Sequence, residues 1–443
     1  MRYVEEKEQN DSICIVGLGY VGVTLAGAFL AKKQNVVGIE VKKEVRDQLS
    51  RGDIHLFEPG IESILKEEIN NRLTVQQYIP DNLKSVIICV GTPYSQKDNK
   101  PDLSYLKEAI ESVKDKMTSA TLIVIRSTLP IGVTREFVLP ILQNKIKNPK
   151  VVFAPERTIQ GKALEELLNL PQVIGTSNDE HFEQAKRIFE KLGVEVVRVC
   201  SFETAEMLKL MCNAHTDILY SFGNEMSNIS TKFNIDIHEM IEAANHNYPR
   251  PDIATPGYVG GSCLTKDPYH LIYSAKQKGY MPHLVKAARD TNENLLKGIM
   301  LQINDILERK ELDWNTSKIF VSGLAYKGRP ETDDLRGSAI WELLNLLKGK
   351  KVKEIMLHDF VIDAQKIEEE FGLKAVTFEA GMKETDIVII LNNHPKYQLY
   401  SDNIIDTHEK KQKIIYDVWG IYKEVLKDVT NKKCDYLGVG FNG

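Results

Sequence analysis

The sequence predicts an α/β protein in which two doubly wound, Rossmann-like domains are joined by a central helical domain with a long helix. Near the N-terminus an apolar strand leads into a glycine turn, and buried strands then alternate with helices. The same alternation returns in the last third of the chain. Between these parts, apolar residues recur every three or four positions over more than 30 residues from Phe202, without proline, as in a long helix. The expected domains are residues 1–200, 201–312 and 313–443.

The composition is that of a globular protein with no general affinity for polyanions. The chain has 443 residues, of which 42% are hydrophobic and 27% charged, and its net charge is −5. This balance gives no reason to expect nucleic acid or an anionic membrane as a partner. No apolar run approaches the ~20 residues that span a bilayer, and the first eleven residues lack the apolar core of a signal peptide. Six cysteines are scattered without a CxxC pair, so we expect reduced thiols in the cytoplasm and no bound metal.

The first glycine turn has the spacing of a dinucleotide-binding turn. Gly17 permits a tight turn, Gly19 lets the backbone approach a pyrophosphate, and Gly22 lets the following helix lie close to the strand. Glu40 follows the next strand at the spacing where a carboxylate meets the ribose hydroxyls, which favours NAD over NADP. The alternative is a glycine-rich turn that binds no ligand. The context of strand, helix, strand and acid favours cofactor binding.

Later strands of the first domain end in small or polar residues. Gly91-Thr92-Pro93, Ser127-Thr128 and Pro155-Glu156 all follow apolar runs. In a doubly wound sheet, ligands bind beyond the carboxyl ends of the strands. Thr128 and Glu156 are therefore candidates for work on a substrate, with a capping or turn role as the alternative.

The central region adds two further groups of candidates. Lys209 and Asn213 are four residues apart and share one face of the long helix, whose apolar stripe would be buried naturally by a second copy of the chain. Residues 247–262 form a loop rich in proline and glycine. Gly260 and Gly261 allow its backbone to bring Cys263 close to a ligand. A buried structural thiol is the alternative, which we expect for the cysteines at 14, 89 and 212.

The last third contains a second glycine turn, from Gly323 to Gly328, that lacks the full dinucleotide pattern. Lys327 and Arg336 supply cations there and suit a different phosphate ligand. The alternative is that the neighbouring Asp333 and Asp334 simply neutralise Arg336.

Taken in order, eight segments resemble the UDP-glucose/GDP-mannose dehydrogenase family from about residue 11 to about residue 420. They are GLGYVG, CVGTP, STLPIGVT, PER, AEMLKLMCN, PGYVGGSCLTKDPY, GLAYKG and DDLRGS. Within the family, PERTIQGKALEEL and NHNYPRPDIATPG are most similar to the branch that acts on UDP-N-acetylhexosamines (UDP-GlcNAc or UDP-ManNAc). Ser262 and Lys266 resemble the UDP-glucose branch instead. Two further departures from the family pattern are Asp359-Phe360 and Trp419.

This resemblance implies an enzyme that uses NAD to oxidise the C6 hydroxyl of a UDP-N-acetylhexosamine to a carboxylate, in two steps that transfer four electrons. It also implies a role in making precursors of surface polysaccharides, and an obligate homodimer. UDP-glucose is the alternative substrate. A two-electron dehydrogenase of the hydroxyacid type and a non-catalytic nucleotide-sugar sensor are less favoured functions.

The resemblance also assigns roles to particular residues. Cys263 would be the nucleophile, Lys209 and Asn213 would stabilise oxyanions, Asp267 and Thr128 would position water or relay protons, and Glu156 would act as general base. The implied cofactor contacts are Gly17, Gly19, Tyr20, Val21, Gly22, Glu40, Gly91, Thr92, Ser127, Thr128 and Arg336. The implied substrate contacts are Glu156, Arg157, Lys209, Asn213, Tyr258, Gly260, Gly261, Tyr326, Lys327, and Arg250 from the neighbouring subunit.

Overall fold

A computed structural model describes residues 12–410, 413–427 and 433–442 of the chain. These residues belong to two compact units. The first unit runs to Asn213 and also includes Lys266–Met281, and the second comprises Ala214–Thr265 and the chain from Pro282 onward.

The first unit is built on a single eight-stranded sheet. Its strands follow the order β3-β2-β1-β4-β7-β8-β9-β10, and neighbours are parallel except for β8 and β9. Two short strands, β5 and β6, pair separately. The strands are β1 (Ile13–Val16), β2 (Val36–Ile39), β3 (Leu73–Gln76), β4 (Ser85–Ile88), β5 (Tyr94–Ser95), β6 (Lys100–Pro101), β7 (Leu122–Ile125), β8 (Lys150–Phe153), β9 (Gln172–Gly175) and β10 (Val196–Val199).

Helices cover both faces of this sheet. In β1, Ile13 and Ile15 belong to one apolar core, whereas Cys14 and Val16 belong to another. Burial on both faces explains why these strands read as uninterrupted apolar runs in the sequence. The helices are α1 (Tyr20–Ala31), α2 (Lys43–Leu49), α3 (Ile61–Glu68), α4 (Ser104–Lys116), α5 (Leu139–Gln143), which follows a π-turn at Thr134–Val138, α6 (Ala163–Leu167) and α7 (Asp179–Phe189).

The middle of the chain is helical, as predicted. Its helices are α8 (Phe202–Lys232), α9 (Ile237–Asn245), α10 (Gly261–Leu264), α11 (Asp267–Gln277) and α12 (His283–Arg309). The predicted long helix is confirmed as α8, which has 31 residues. The irregular stretch predicted to end at residue 262 ends instead at Gly260, so Cys263 lies in a short helix. Among the described residues, no helix is both long enough and apolar enough to cross a membrane.

The second unit carries a seven-stranded sheet in the order β13-β12-β11-β14-β15-β16-β17, parallel except for its last pair. Apolar cores again lie on both faces, since Ile319 and Val321 belong to one and Phe320 to the other. The strands are β11 (Lys318–Ser322), β12 (Glu354–His358), β13 (Lys374–Ala375), β14 (Ile387–Ile390), β15 (Ile414–Asp417), β16 (Asp435–Gly438) and β17 (Phe441–Asn442).

The remaining helices flank this second sheet. They are α13 (Ala339–Lys348), α14 (Ala364–Phe371), α15 (Phe378–Glu384), α16 (Ser401–Lys410) and α17 (Lys423–Lys427). The two sheets have the same order over six of their strands. The order β3-β2-β1-β4-β7-β8 in the first sheet corresponds to β13-β12-β11-β14-β15-β16 in the second. The predicted class, two Rossmann-like doubly wound domains with a helical region between them, is confirmed. The second α/β domain repeats the strand order of the first.

Candidate active site

The three glycines of the first turn differ in what requires them. Gly17 has a φ of +87°, which glycine adopts readily. A β-carbon on Gly22 would lie 1.9 Å from the Gly17 carbonyl oxygen, so α1 can lie against the turn only if residue 22 is glycine. A β-carbon on Gly19 would meet nothing within 4 Å. The protein's own packing therefore does not require Gly19, whereas close approach of a pyrophosphate does. The turn fits a dinucleotide.

Glu40 anchors this turn at the end of β2. Its buried carboxylate accepts hydrogen bonds from the Leu18 and Lys42 backbone amides, both at 3.0 Å. Asp359 at the end of β12 accepts from the Ala325 amide at 3.0 Å in the second unit. In both α/β domains, an acid after the second strand thus accepts from a backbone amide of the glycine turn, and in the second domain that amide is one position further along. In the second, however, Ala325 stands where the first has Gly19, and α13 begins only at Ala339.

Polar groups meet where β4 and β7 end. The Thr92 hydroxyl donates to the Thr128 carbonyl oxygen at 2.5 Å, and the Ser127 hydroxyl donates to the Val90 carbonyl oxygen at 2.7 Å. A β-carbon on Gly91 would meet nothing within 4 Å, as at Gly19. Open space therefore lies at the carboxyl ends of the strands, near the glycine turn, where a Rossmann fold places its ligand.

The difference between Gly19 and Gly22 gives a paired prediction. We expect Gly19→Ala, at φ −66°, to leave the melting temperature unchanged but to raise the Kd for NAD at least about tenfold, or ~1.4 kcal/mol. Gly22→Ala should destabilise the fold by about 1–3 kcal/mol because of overpacking. Calorimetric titration with NAD and thermal unfolding measure the two effects. Equal effects of both variants on stability would contradict the assignment.

Glu156, after β8, is buried and holds four hydrogen-bond donors. One carboxylate oxygen accepts from the backbone amides of Arg157 and Thr158 at 2.7 and 2.9 Å. The other accepts from Nε and Nη2 of Arg126 at 3.2 and 2.6 Å. Burial acts to raise the pKa of Glu156, but Arg126, the backbone donors and Lys209 outweigh it, so the pKa lies below its usual value. All four lone-pair positions are occupied, so this carboxylate must release a donor before it accepts a proton.

A second cluster joins α8 to the start of α11. Asn213 Nδ2 donates to Asp267 Oδ2 at 2.5 Å, and Lys266 Nζ lies 3.1 Å from Asp267 Oδ1. Asp267 is completely buried. Burial acts to raise the pKa of Asp267. The charges of Lys266 and Lys209 have a larger combined effect in the opposite direction, so the pKa lies below its usual value. The first unit therefore brings Lys209, Asn213, Glu156 and Asp267 into one electrostatically connected cluster.

Lys266 and His270 extend this cluster to Thr92. Lys266 Nζ donates to Thr92 Oγ1 at 3.4 Å, and His270 Nε2 lies 3.1 Å from the Thr92 carbonyl oxygen. A carbonyl only accepts, so Nε2 carries the proton. Burial, with a smaller effect of Lys266, lowers the pKa of His270 to about 4, and the ring is neutral at pH 7.

Sequence reasoning missed three buried polar residues that support the site. Arg126 reaches both Glu156 and Gln172, whose Oε1 accepts from Arg126 Nη1 at 2.8 Å. His270 supports Thr92, and Glu58 contacts the first turn, as described below. Arg126 carried a usable signal, because it is a charged residue at the end of the apolar run TLIVI. Nothing local in the sequence identifies the partners of His270 or Glu58.

In the second unit, Cys263 is exposed on α10. Gly261, with φ +88°, donates its amide to the Gly337 carbonyl oxygen at 3.2 Å. A β-carbon on Gly261 would lie 2.7 Å from the Tyr326 ring, and one on Gly260 would lie 2.5 Å from the Gly337 oxygen. The glycine pair is therefore required by packing of the Cys263 turn against the segment around Gly337.

Arg336 precedes Gly337 and forms a bidentate ion pair with Asp334, with Nη2 at 2.7 Å from Oδ2. Hydrogen bonding to Asp334 raises the pKa of Arg336, with a smaller contribution from the charge of the nearby Cys263. Asp333 pairs with Lys366 instead. Of the two aspartates suggested as neutralising partners, Asp334 forms this ion pair with Arg336.

The other predicted substrate residues of this unit have local partners. Lys327 Nζ lies 5.4 Å from the Tyr326 ring centroid, and the Arg250 guanidinium lies 5.0 Å from that of Tyr248. Burial raises the pKa of Tyr258 to about 12. The departure at Trp419 also has a packing role, since a β-carbon on Gly257 would lie 2.6 Å from its ring. Trp419 thus packs against the loop that leads to Cys263.

A parallel α/β sheet with a dinucleotide turn, together with a second domain of the same strand order, defines the class of NAD-dependent dehydrogenases with two Rossmann-like domains. The chain matches three domains of one family: the NAD binding domain over residues 11–193, the central domain over 203–294 and the UDP binding domain over 320–424. It belongs to the UDP-glucose/GDP-mannose dehydrogenase family, and its cofactor is NAD.

Named relatives span nearly the whole chain. A UDP-N-acetyl-D-mannosamine dehydrogenase of Pyrococcus horikoshii is 32% identical, over 93% of this chain and 96% of the relative. One of Methanocaldococcus jannaschii is 30% identical over the full length of both chains. The solved structure of a UDP-D-ManNAc dehydrogenase from Pyrococcus horikoshii has a TM-score of 0.84 and 30% identity, and covers 97% of this chain and 99% of that chain.

Proposed function

We propose that this enzyme oxidises the C6 hydroxyl of a UDP-N-acetylhexosamine to a carboxylate, with Cys263 as the covalent nucleophile. The observation that carries the proposal is the cluster of Lys209, Asn213, Asp267 and Glu156, in which all but the half-buried Asn213 are buried. These residues occupy the positions of the family's motifs, and the two acids are held below their usual pKa values. The full reaction consumes one water and two NAD molecules per sugar and releases two NADH. NAD, when bound, accepts one hydride in each of the two oxidations.

The chain's own residues divide the chemistry into steps. Removal of the hydroxyl proton from O6 and of a hydride from C6 leaves an aldehyde, which is a poor hydride donor. Addition of the Cys263 thiolate to the aldehyde gives a thiohemiacetal. Its oxidation, which is the second oxidation of the reaction, leaves a thioester. Water then attacks the thioester, and the carboxylate and free thiol are released.

We assign Lys209 and Asn213 to the oxyanions that form at C6, since an ammonium and an amide N–H both stabilise developing negative charge. Asp267 positions water, together with Thr128. Asp267 is better placed to accept a proton than Glu156, because Glu156 already holds four donors. Glu156 would instead act as general base only by releasing one of them.

The substrate assignment depends on relatives. The names of several relatives specify UDP-N-acetyl-D-mannosamine. They support a substrate of the N-acetylhexosamine branch, and in particular UDP-ManNAc, whose oxidation product we propose to be a surface polysaccharide precursor. UDP-glucose is the second candidate substrate, because at Lys266 this chain resembles the UDP-glucose branch of the family. Lys266 is placed to act, because its ammonium contacts both Asp267 and Thr92.

A homodimer in the cytoplasm completes the proposal. Large apolar side chains stay exposed along α8 and directly after it, at spacings of four, seven and eleven residues that keep them on one helix face. They are Met207, Met211, Phe222, Ile229 and Phe233. A second copy of the chain is the proposed cover for this stripe, and Arg250 is proposed to reach the partner's sugar site.

Counting NADH tests the proposed reaction. We expect two NADH per UDP-sugar consumed. The sugars compared are UDP-ManNAc, UDP-GlcNAc, UDP-GalNAc, UDP-glucose and GDP-mannose, and we expect the greatest rate with either UDP-ManNAc or UDP-GlcNAc. One NADH per sugar would contradict the four-electron reaction and favour a hydroxyacid-type enzyme. Preference for UDP-glucose would support the second candidate. No oxidation of any of the five would favour the sensor.

A further inference from the structure

Glu58 is a buried carboxylate that joins two separate parts of the first unit. It lies in the loop before α3 and is 5% exposed. Its Oε2 accepts hydrogen bonds from the Tyr20 hydroxyl and from the Gly161 amide, the latter at 2.7 Å. Its Oε1 accepts from the Ala163 amide at 2.7 Å. No sequence pattern assigned Glu58 a role.

One end of this link is the cofactor turn. Tyr20 is the first residue of α1, directly after Gly19, where amide groups at the helix start face a bound pyrophosphate. A ligand that fixes the first turn of α1 also fixes the backbone from which the Tyr20 side chain extends. The position of its hydroxyl relative to Glu58 therefore depends on the state of the cofactor turn.

The other end is the segment of residues 156–162, which contains the predicted substrate residues Glu156 and Arg157. Gly161, with φ +85°, and Ala163 close this segment at the start of α6. The Ile159 amide donates to Glu166 Oε2 at 2.7 Å, so a second carboxylate fixes the middle of the segment. Glu58 holds its end.

The link is stiff because it is buried and charged. Hydrogen bonds to a carboxylate are stronger than those between neutral groups, and a buried carboxylate that loses a donor pays a desolvation penalty. The helices at its two ends, α1 and α6, also pack against one another. A shift of the Tyr20 hydroxyl is thus opposed by the loss of a bond that also secures Gly161.

We propose that Glu58 is a positioning residue that couples cofactor binding at the Gly17–Gly22 turn to nucleotide-sugar binding at residues 156–162. The inference rests on the proposed function for the identity of the second ligand. It goes beyond that function because it predicts a free energy of coupling between two sites, carried by the Tyr20–Glu58 pair.

The test measures binding without turnover. NADH replaces NAD, since the reduced cofactor accepts no hydride, and its Kd is measured by fluorescence with and without saturating UDP-ManNAc, or UDP-glucose if only that sugar binds. The full-length chain is compared with Tyr20→Phe and Glu58→Gln. Matched controls are Tyr105→Phe, at an exposed tyrosine on α4, and Glu62→Gln, at an exposed glutamate on α3. Thermal unfolding is recorded for each protein.

We expect the sugar to change the Kd for NADH about tenfold in the wild type, within the usual range of coupling between sites. The change should fall below about twofold in Tyr20→Phe and Glu58→Gln, and Glu58→Gln should keep the sugar-free Kd within about threefold. The controls should behave as the wild type. A wild type without coupling, variants that keep the full coupling, or loss of NADH binding itself in Glu58→Gln would overturn the inference. Failure of the wild type to bind either UDP-sugar would instead contradict the proposed function.

Discussion

Replacement of Cys263 by alanine is expected to lower net oxidation of the UDP-sugar by three orders of magnitude or more, ~4 kcal/mol in transition-state stabilisation. Without the thiol, the aldehyde formed in the first oxidation has no route to a thiohemiacetal. Steady-state NADH production and mass spectrometry of the sugar product measure the loss. Cys263→Ser should stop at the aldehyde or at a slowly hydrolysed covalent intermediate.

Cys200→Ala provides the matched control for Cys263→Ala. Both thiols are exposed, so a general effect of removing a surface thiol would appear in both variants. We expect full activity in Cys200→Ala. Full turnover in Cys263→Ala would remove both the nucleophile assignment and the covalent mechanism.

Arg126→Met is expected to destabilise the fold by about 3–5 kcal/mol at pH 7, because it leaves the carboxylate of Glu156 buried without its ion-pair partner. Chemical denaturation followed by circular dichroism measures the free energy of unfolding. Arg135→Met is the control. Arg135 also forms an ion pair and lies over an aromatic ring, 5.4 Å from Phe202 compared with 5.5 Å between Arg126 and Phe189. It is largely exposed, so its loss should cost less than about 1 kcal/mol.

The pH dependence of this effect has a defined sign. In the wild type the pKa of Glu156 is lowered, so its ionisation contributes stability above the unfolded pKa of ~4.3, and that contribution is lost as pH falls through the folded pKa. In Arg126→Met, burial dominates and should raise the pKa. The deficit should therefore be smaller at pH 5 than at pH 7. The double variant Arg126→Met/Glu156→Gln should recover part of the stability, and a deficit under 1 kcal/mol at pH 7 would contradict the buried pair.

Local sequence patterns were sufficient for most of the fold. The strands Ile13–Val16 and Val36–Ile39 and the intervening turn follow from apolar runs and glycine spacing, which depend on neighbours along the chain. The long helix follows from periodicity. The end of the loop before Cys263 was less well predicted, because α10 is a single turn held by contact with Gly337 rather than by its own sequence.

The candidate site was predictable in its residues but less so in its support. Glu156 was identified from its place after a strand, yet its pairing with Arg126 joins residues 30 apart, and the bond from Gly161 to Glu58 joins residues 103 apart. Such pairs leave no local pattern. Glycines at 260 and 261 suggested ligand approach, whereas Tyr326 and Gly337 occupy the space beside them.

The matching carboxylates Glu40 and Asp359 affect how cofactor preference should be engineered. Each accepts an amide of its own glycine turn, at Leu18 and Ala325 respectively, although Asp359 belongs to a turn without the dinucleotide pattern. An acid at the end of the second strand is thus partly a brace for the backbone. Substitutions at Glu40 that admit a 2′-phosphate would also remove this brace, so a redesign toward NADP has to supply a neutral acceptor for the Leu18 amide.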